Sequence, residues 1–172
     1  LSMDQPLILA VGRHVEKKGF IYLIEACEKL YLANVDFQCL IIGESGGQKE
    51  VIRTAIQNKK LESRVALRNA VTQEELQDLY QQTTIFALPC VITEDGDRDG
   101  IPNVMAEAMA TGLPIISTPI SGIPELVEDQ INGLLVPPRD VERLAEAMKL
   151  LLADETLRFK LGKAARQTIC ER

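Results

Sequence analysis

The 172-residue sequence contains no C-x-x-C pair, no sustained heptad, no Gly triplet repeat and no apolar run of membrane-spanning length. Each absence closes a class. The four cysteines, Cys27, Cys39, Cys90 and Cys170, lie far apart in sequence, and three of them sit inside apolar runs. They read as small buried hydrophobes of a reducing compartment, neither disulfides nor zinc ligands. A membrane span needs roughly 18 consecutive apolar residues, and no stretch approaches that. The start of the chain has no charged-then-apolar signal pattern, so a cytoplasmic location is expected. Positive charge is in deficit too: 19 Lys and Arg face 25 Asp and Glu, giving a formal net charge of −6. Such a surface repels phosphate backbones and excludes a general nucleic-acid grip. A local phosphate site can still be built from a few well-placed donors.

What remains is an ordinary globular composition, 46% hydrophobic and 26% charged, which fits one domain over residues 1–172. The run PLILAVG (6–12) is short, apolar throughout and ended by glycine, as a buried parallel strand is. Phe20, Leu23, Ile24, Cys27 and Leu30 then recur at helical spacing. DFQCLIIG (36–43), Val65 to Arg68, TIFALP (84–89), LPIIST (113–118) and Gly133 to Val136 supply five further strand candidates. Helices are predicted between them. One begins at Thr72, with Glu75 placed to complete a capping box, and the last begins at Asp154. Fully apolar strands alternating with helices predict an α/β domain with a doubly wound, Rossmann-like parallel sheet of about six strands, helices on both faces. Ligands of such sheets bind beyond the carboxyl ends of the strands.

After the first strand comes GRHVEKKG (12–19), which matches neither G-x-G-x-x-G nor a Walker A loop. It offers Gly12 for close backbone approach, the forked donor of Arg13, and Lys18 just before a helix N-terminus, a set that suits a diphosphate. His14, the single histidine, has no partner in sight for acid–base work and reads as structural or solvent-facing. GESGGQ (43–48) follows the second strand as a flexible turn.

The segment TEDGDRDGIPNVMAEAMATG (93–112) first suggests calcium, because Asp95, Asp97, Asp99 and Gly100 match the opening of an EF-hand loop. The twelfth position, where a bidentate Glu belongs, is Ala106. The alternative treats Gly100, Ile101, Pro102 and Asn103 as a turn whose amides open the next helix and form an anion site. Glu107, about one helical turn deeper, can accept two vicinal hydroxyls. Asp99 stands eight residues before it. Acidic groups on both sides of a row of amides describe a nucleotide sugar.

In this order, VGR with KKG, IIG, DGIPNVMAEAMATGLPIIST and SGIPELVEDQINGLLVPP resemble the C-terminal, donor-binding domain of family 4 retaining glycosyltransferases of GT-B architecture. The resemblance implies transfer of a hexosyl group from a UDP- or GDP-sugar to a glycan, lipid or small-molecule acceptor. It also implies a separate N-terminal acceptor-binding domain, absent from these residues, through which alone any peripheral membrane contact would be made. The 172 residues would then bind donor weakly and transfer no sugar by themselves. The family's E-x7-E pattern maps to Asp99, one methylene shorter, near the donor sugar, and to Glu107 on the ribose. Arg13 and Lys18 would clamp the diphosphate with help from the amides of Ile101 to Val104. Catalysis would fall to Arg13, Lys18 and Asp99, with no cofactor and no metal. Gly43 and the turn from Asn69 to Val71 would border the base. Two other classes fit the residues alone: a non-catalytic nucleotide- or sugar-phosphate-binding module, and a calcium-binding interaction domain using Asp95, Asp97 and Asp99.

Overall fold

Five consecutive buried apolar residues make β1 (Leu7–Val11), and the same pattern makes β2 (Gln38–Ile42), whose last four residues are buried. A strand buried on both faces needs cover on both sides. The computed structural model, which describes residues 4–172, supplies it with helices. In chain order these strands are joined by α1 (Phe20–Leu32), α2 (Lys49–Asn58), β3 (Val65–Arg68), α3 (Gln73–Gln82), β4 (Ile85–Ala87) and α4 (Asn103–Ala110). There follow β5 (Ile115–Ser117), α5 (Ile123–Leu126), β6 (Leu134–Leu135), α6 (Val141–Ala153) and α7 (Glu155–Cys170).

The sheet order is β3-β2-β1-β4-β5-β6, every pair parallel. Strand order therefore reverses between β1 and β4. Right-handed crossovers send the helices of the two halves to opposite faces. Accordingly α1 packs on α2 and α4 packs on α7, while α6, which follows the last strand, returns to pack on α1. The expected six-strand, doubly wound sheet is the one observed.

β3 has the expected bounds, and the other five strands are shorter than the apolar runs that announced them. LPIIST contributes only Ile115–Ser117, because Pro114 has no N–H for the ladder and serves it only by accepting from Phe86 N at 3.0 Å. Thr72 caps α3 as expected, accepting from Glu75 N at 3.1 Å, and Asp154 caps α7 by accepting from Leu157 N at 2.9 Å. Cys27, Cys39 and Cys90 are buried free thiols; Cys170 is free and exposed. The block from Ser121 to Pro138 is chiefly architectural. Its buried Asn132 accepts from Glu128 N at 2.7 Å and donates to the Leu126 carbonyl and to Thr168 Oγ1 on α7.

Candidate functional site

A reversal of strand order opens a crevice, because the loops leaving two adjacent strands run to opposite faces. Here those loops follow β1 and β4. Gly12 N donates to the Ile42 carbonyl at 2.9 Å, prolonging the β1–β2 ladder by one residue before the chain turns away at Arg13. Val15 then leads into a single 3-10 turn, Glu16–Lys18, closed by Gly19 at φ 74°. A side chain at Gly19 would have its Cβ 1.9 Å from the Pro89 carbonyl oxygen, so glycine is required for the β1 loop to seat against the chain leaving β4.

The loop leaving β4 is tied down along its first half. Ser117 Oγ donates to the Leu88 carbonyl at 2.8 Å and Thr118 Oγ1 to the Cys90 carbonyl at 2.6 Å. Val91 N donates to the Lys17 carbonyl at 2.9 Å, and Arg139 Nη2 to the Ile92 carbonyl at 2.7 Å. Beyond this the chain folds on Thr93, whose N–H donates to the Asp97 carbonyl at 3.0 Å and whose Oγ1 accepts from Asp97 N at 3.1 Å. Asp95 closes the turn by accepting from Thr93 Oγ1 and Asp97 N, and the Thr93 hydroxyl, first, holds its carboxyl below the usual range.

The two loops face each other across a cleft of about 270 Å³ lined by Arg13, Val15, Lys17, Lys18, Asp97 and Asp99. Lys18 Nζ lies 2.6 Å from Asp99 Oδ2; Lys17 Nζ lies 3.5 Å from Asp99 Oδ1 and 3.4 Å from Asp97 Oδ1. Asp99 raises the pKa of Lys17; burial opposes it, and Asp97 adds to the rise. Lys18 and Asp99 are nearly enclosed, with side chains 13% and 17% exposed. Arg13, Lys18 and Asp99 are thus brought together as the sequence predicted, but Lys18 and Asp99 are paired with each other instead of standing free. Lys17 and Asp97 join them, Lys17 without having been anticipated. The three aspartates do not converge: two face lysines and the third holds its own turn. No group of three or more potential metal ligands occurs among the described residues.

Helix α4 begins beside this loop. Pro102 is its N-cap, in extended geometry with no side-chain cap, and Met105 N donates back to the Pro102 carbonyl at 3.0 Å. The expectation that amides from Ile101 to Val104 all serve an anion needs correcting at Pro102, which has no N–H and contributes shape alone. Asn103 and Val104 supply the first-turn donors. Gly100 is exposed, and Ile101 packs toward Gly122, where an added Cβ would lie 2.8 Å from Ile101 Cγ1. Glu107, half-buried on α4, is held by Tyr80 of α3, whose hydroxyl donates to Glu107 Oε2 at 3.2 Å. Sequence reasoning missed Tyr80, which looks like one more member of the apolar face of α3 with Leu76.

The third group of residues lies at the ends of β2 and β3. Gly43 is buried, and an added Cβ would stand 1.7 Å from the Gly12 carbonyl oxygen. Its glycine therefore serves the approach of two backbones, a structural demand beside any ligand role. Val71 packs against the core. Lys49 Nζ bridges the neighbouring turns, 3.1 Å from Ser45 Oγ and 3.1 Å from Asn69 Oδ1. His14 is fully buried, not solvent-facing, with no hydrogen bond of normal geometry at either ring nitrogen. Burial and then the charge of Lys49 lower its pKa, while the nearby Arg68 carbonyl opposes them.

Comparison with known proteins gives this geometry a lineage. Residues 1–168 match the sequence profile of Glycosyl transferases group 1. The amylovoran biosynthesis glycosyltransferase AmsK of Erwinia amylovora is 40% identical over 169 residues, covering 98% of this chain and 41% of that protein. The GDP-mannose-dependent alpha-(1-6)-phosphatidylinositol monomannoside mannosyltransferase of Mycobacterium tuberculosis is 30% identical over 167 residues, covering 96% of this chain and 43% of that one. Among solved structures, sucrose-phosphate synthase from Thermosynechococcus elongatus superposes with a TM-score of 0.86 at 29% identity, over 99% of this chain and 42% of that chain. The chain thus spans about two-fifths of the length of these relatives. On the matching sequence profile and on these relatives, the chain belongs to the group 1 glycosyl transferase family.

Proposed function

We propose that this domain binds the nucleoside diphosphate of a UDP- or GDP-sugar and supports retaining transfer of the hexosyl group to an acceptor held by a second, N-terminal domain. The observation that carries the reading is the cleft at the β1/β4 reversal, where Arg13, Lys17 and Lys18 converge on the loop that leads through Asp99 into α4. Converging cations, with the free amides of a helix start following on the same loop, suit two linked phosphates. The GDP-mannose dependence named for the mycobacterial relative supports a donor of this class.

In this reading the bond between the sugar's anomeric carbon and the diphosphate oxygen breaks, the oxygen keeps the electron pair, and the acceptor's hydroxyl oxygen bonds the anomeric carbon while its proton passes to the departing diphosphate. Arg13 and Lys18, with the α4 amides, stabilise the charge as it develops, which is where electrostatic help accelerates a reaction. These cations do the neutralising that a divalent metal would otherwise do, so turnover needs no metal. Glu107 accepts the ribose hydroxyls. Asp99, once Lys18 turns to the phosphates, is released toward the donor sugar. Gly43 and Val71 border the base. The domain described here binds donor without transferring it until the acceptor domain completes the cleft. No described helix is long and apolar enough to cross a membrane. The free cysteines fit a reducing, cytoplasmic compartment.

The test is a panel of UDP- and GDP-sugars offered to the full-length enzyme with and without a chelator, reading donor consumption and the anomeric configuration of the product. Consumption of one donor in chelator, with retained configuration, is expected. An inverted product or a strict metal requirement would overturn the mechanism.

A further inference from the structure

Tyr80 is the largest wholly enclosed side chain among the described residues, 1% exposed, and its single polar atom is spent on a residue of another helix. A buried phenol must find an acceptor, and two are in reach: Glu107 Oε2 at 3.2 Å and the Val104 carbonyl at 3.5 Å. Glu107 is the nearer and the charged one, and a hydrogen bond to a charged acceptor is the stronger. The ring is fixed from below by Phe86 of β4, with centroids 6.5 Å apart and planes inclined at 57°. Tyr80 therefore cannot follow Glu107 about. Glu107 is held where Tyr80 stands.

We infer that Tyr80 is a positioning residue that presets the Glu107 carboxylate for the ribose diol of the donor. The inference rests on the reading of Glu107 as the ribose acceptor. A free glutamate on a half-buried helix face samples several rotamers, and a ligand needing one of them must freeze the rest. Here Oε2 is already engaged, which leaves Oε1 and the second lone pair of Oε2 for two vicinal hydroxyls. Burial, and then the charge of Glu107, hold the phenol far above its usual pKa, so it stays a donor throughout the working pH range.

The test is calorimetric titration of the full chain with UDP and GDP, and with their 2′,3′-dideoxy forms, in wild type, Tyr80→Phe, Glu107→Ala and the double variant. Wild type should prefer the ribonucleotide over its dideoxy form by about tenfold or more, the scale of hydroxyls bound by a charged acceptor. Glu107→Ala should remove that preference. Tyr80→Phe, which keeps the ring and its packing, should reduce the preference about fivefold while leaving dideoxynucleotide affinity unchanged. In the double variant Tyr80→Phe should add nothing. A purely structural role for Tyr80 would weaken both nucleotide forms equally, and that result, or an undiminished preference in Tyr80→Phe, overturns the inference. A preference that survives Glu107→Ala, or no nucleotide binding by wild type, removes the ribose reading itself and this inference with it.

Discussion

In the free protein Asp99 occupies the cation that the donor phosphates would need, so replacing Asp99 by Asn should make the nucleoside diphosphate bind more tightly. At the observed 2.6 Å between Lys18 Nζ and Asp99 Oδ2, the gross attraction is about 6 kcal/mol at an effective dielectric constant near 20. Most of this is cancelled by the desolvation of two groups that are 13% and 17% exposed. A net competition of about 1 kcal/mol remains, close to the upper range for ion pairs that keep some contact with solvent. Its removal corresponds to about fivefold in affinity. Asparagine has nearly the same shape but cannot neutralise an ammonium, so loop geometry is preserved while Lys18 is freed. Calorimetry with UDP and GDP in low salt should show the gain, and it should shrink in high salt. The same variant should gain less, or lose, with an intact nucleotide sugar, because Asp99 would then be missing from the sugar side. Weaker or unchanged nucleotide binding would refute the reasoning, since it would mean that Lys18 and the phosphates do not compete.

The other predictions concern the frame of the site. Gly43→Ala places a Cβ 1.7 Å from the Gly12 carbonyl oxygen and should cost about 3 kcal/mol, a fall in Tm of roughly 8 °C by thermal melt. Thr72→Ala removes the α3 cap, costing about 1 kcal/mol of stability in chemical denaturation, with nucleotide affinity unchanged. His14 is buried neutral with a lowered pKa, so the unfolded chain takes up its proton first as pH falls below the ordinary histidine value of 6.5. That contribution to stability is complete above pH 6.5 and is lost on acidification. Wild type should therefore lose more Tm between pH 7.5 and 5.5 than His14→Leu does. Equal slopes would show that His14 is not the titrating group.

The strands and most helices are legible in the sequence because each reports on itself: an apolar run, a 3.6-residue period, a Thr or Asp at the cap. Parallel order is legible because runs such as PLILAVG are apolar on both faces. Arg13, Lys18, Asp99 and Glu107 could be picked out by their places after strands and at a helix start. Their pairing could not. Lys17 and Asp97 are 80 residues apart, and nothing local to either indicates that they will meet at 3.4 Å. Tyr80 is hidden for a related reason: on its own helix it is an apolar-face residue, and only the packing of α3 beside α4 turns its hydroxyl toward Glu107. The aspartate triplet leaves a calcium loop open in the sequence because a turn closed by Thr93 and Asp95 uses the same residue types.

If Arg13 and Lys18 make the β1/β4 cleft a diphosphate site, nucleotide binding should depend on both. Titration of UDP and GDP into wild type, Arg13→Ala and Lys18→Ala should show measurable binding of at least one nucleotide by wild type, weakened about tenfold or more in each variant, as expected for losing a charge-assisted contact to phosphate. Wild-type affinity retained in both variants would contradict that dependence.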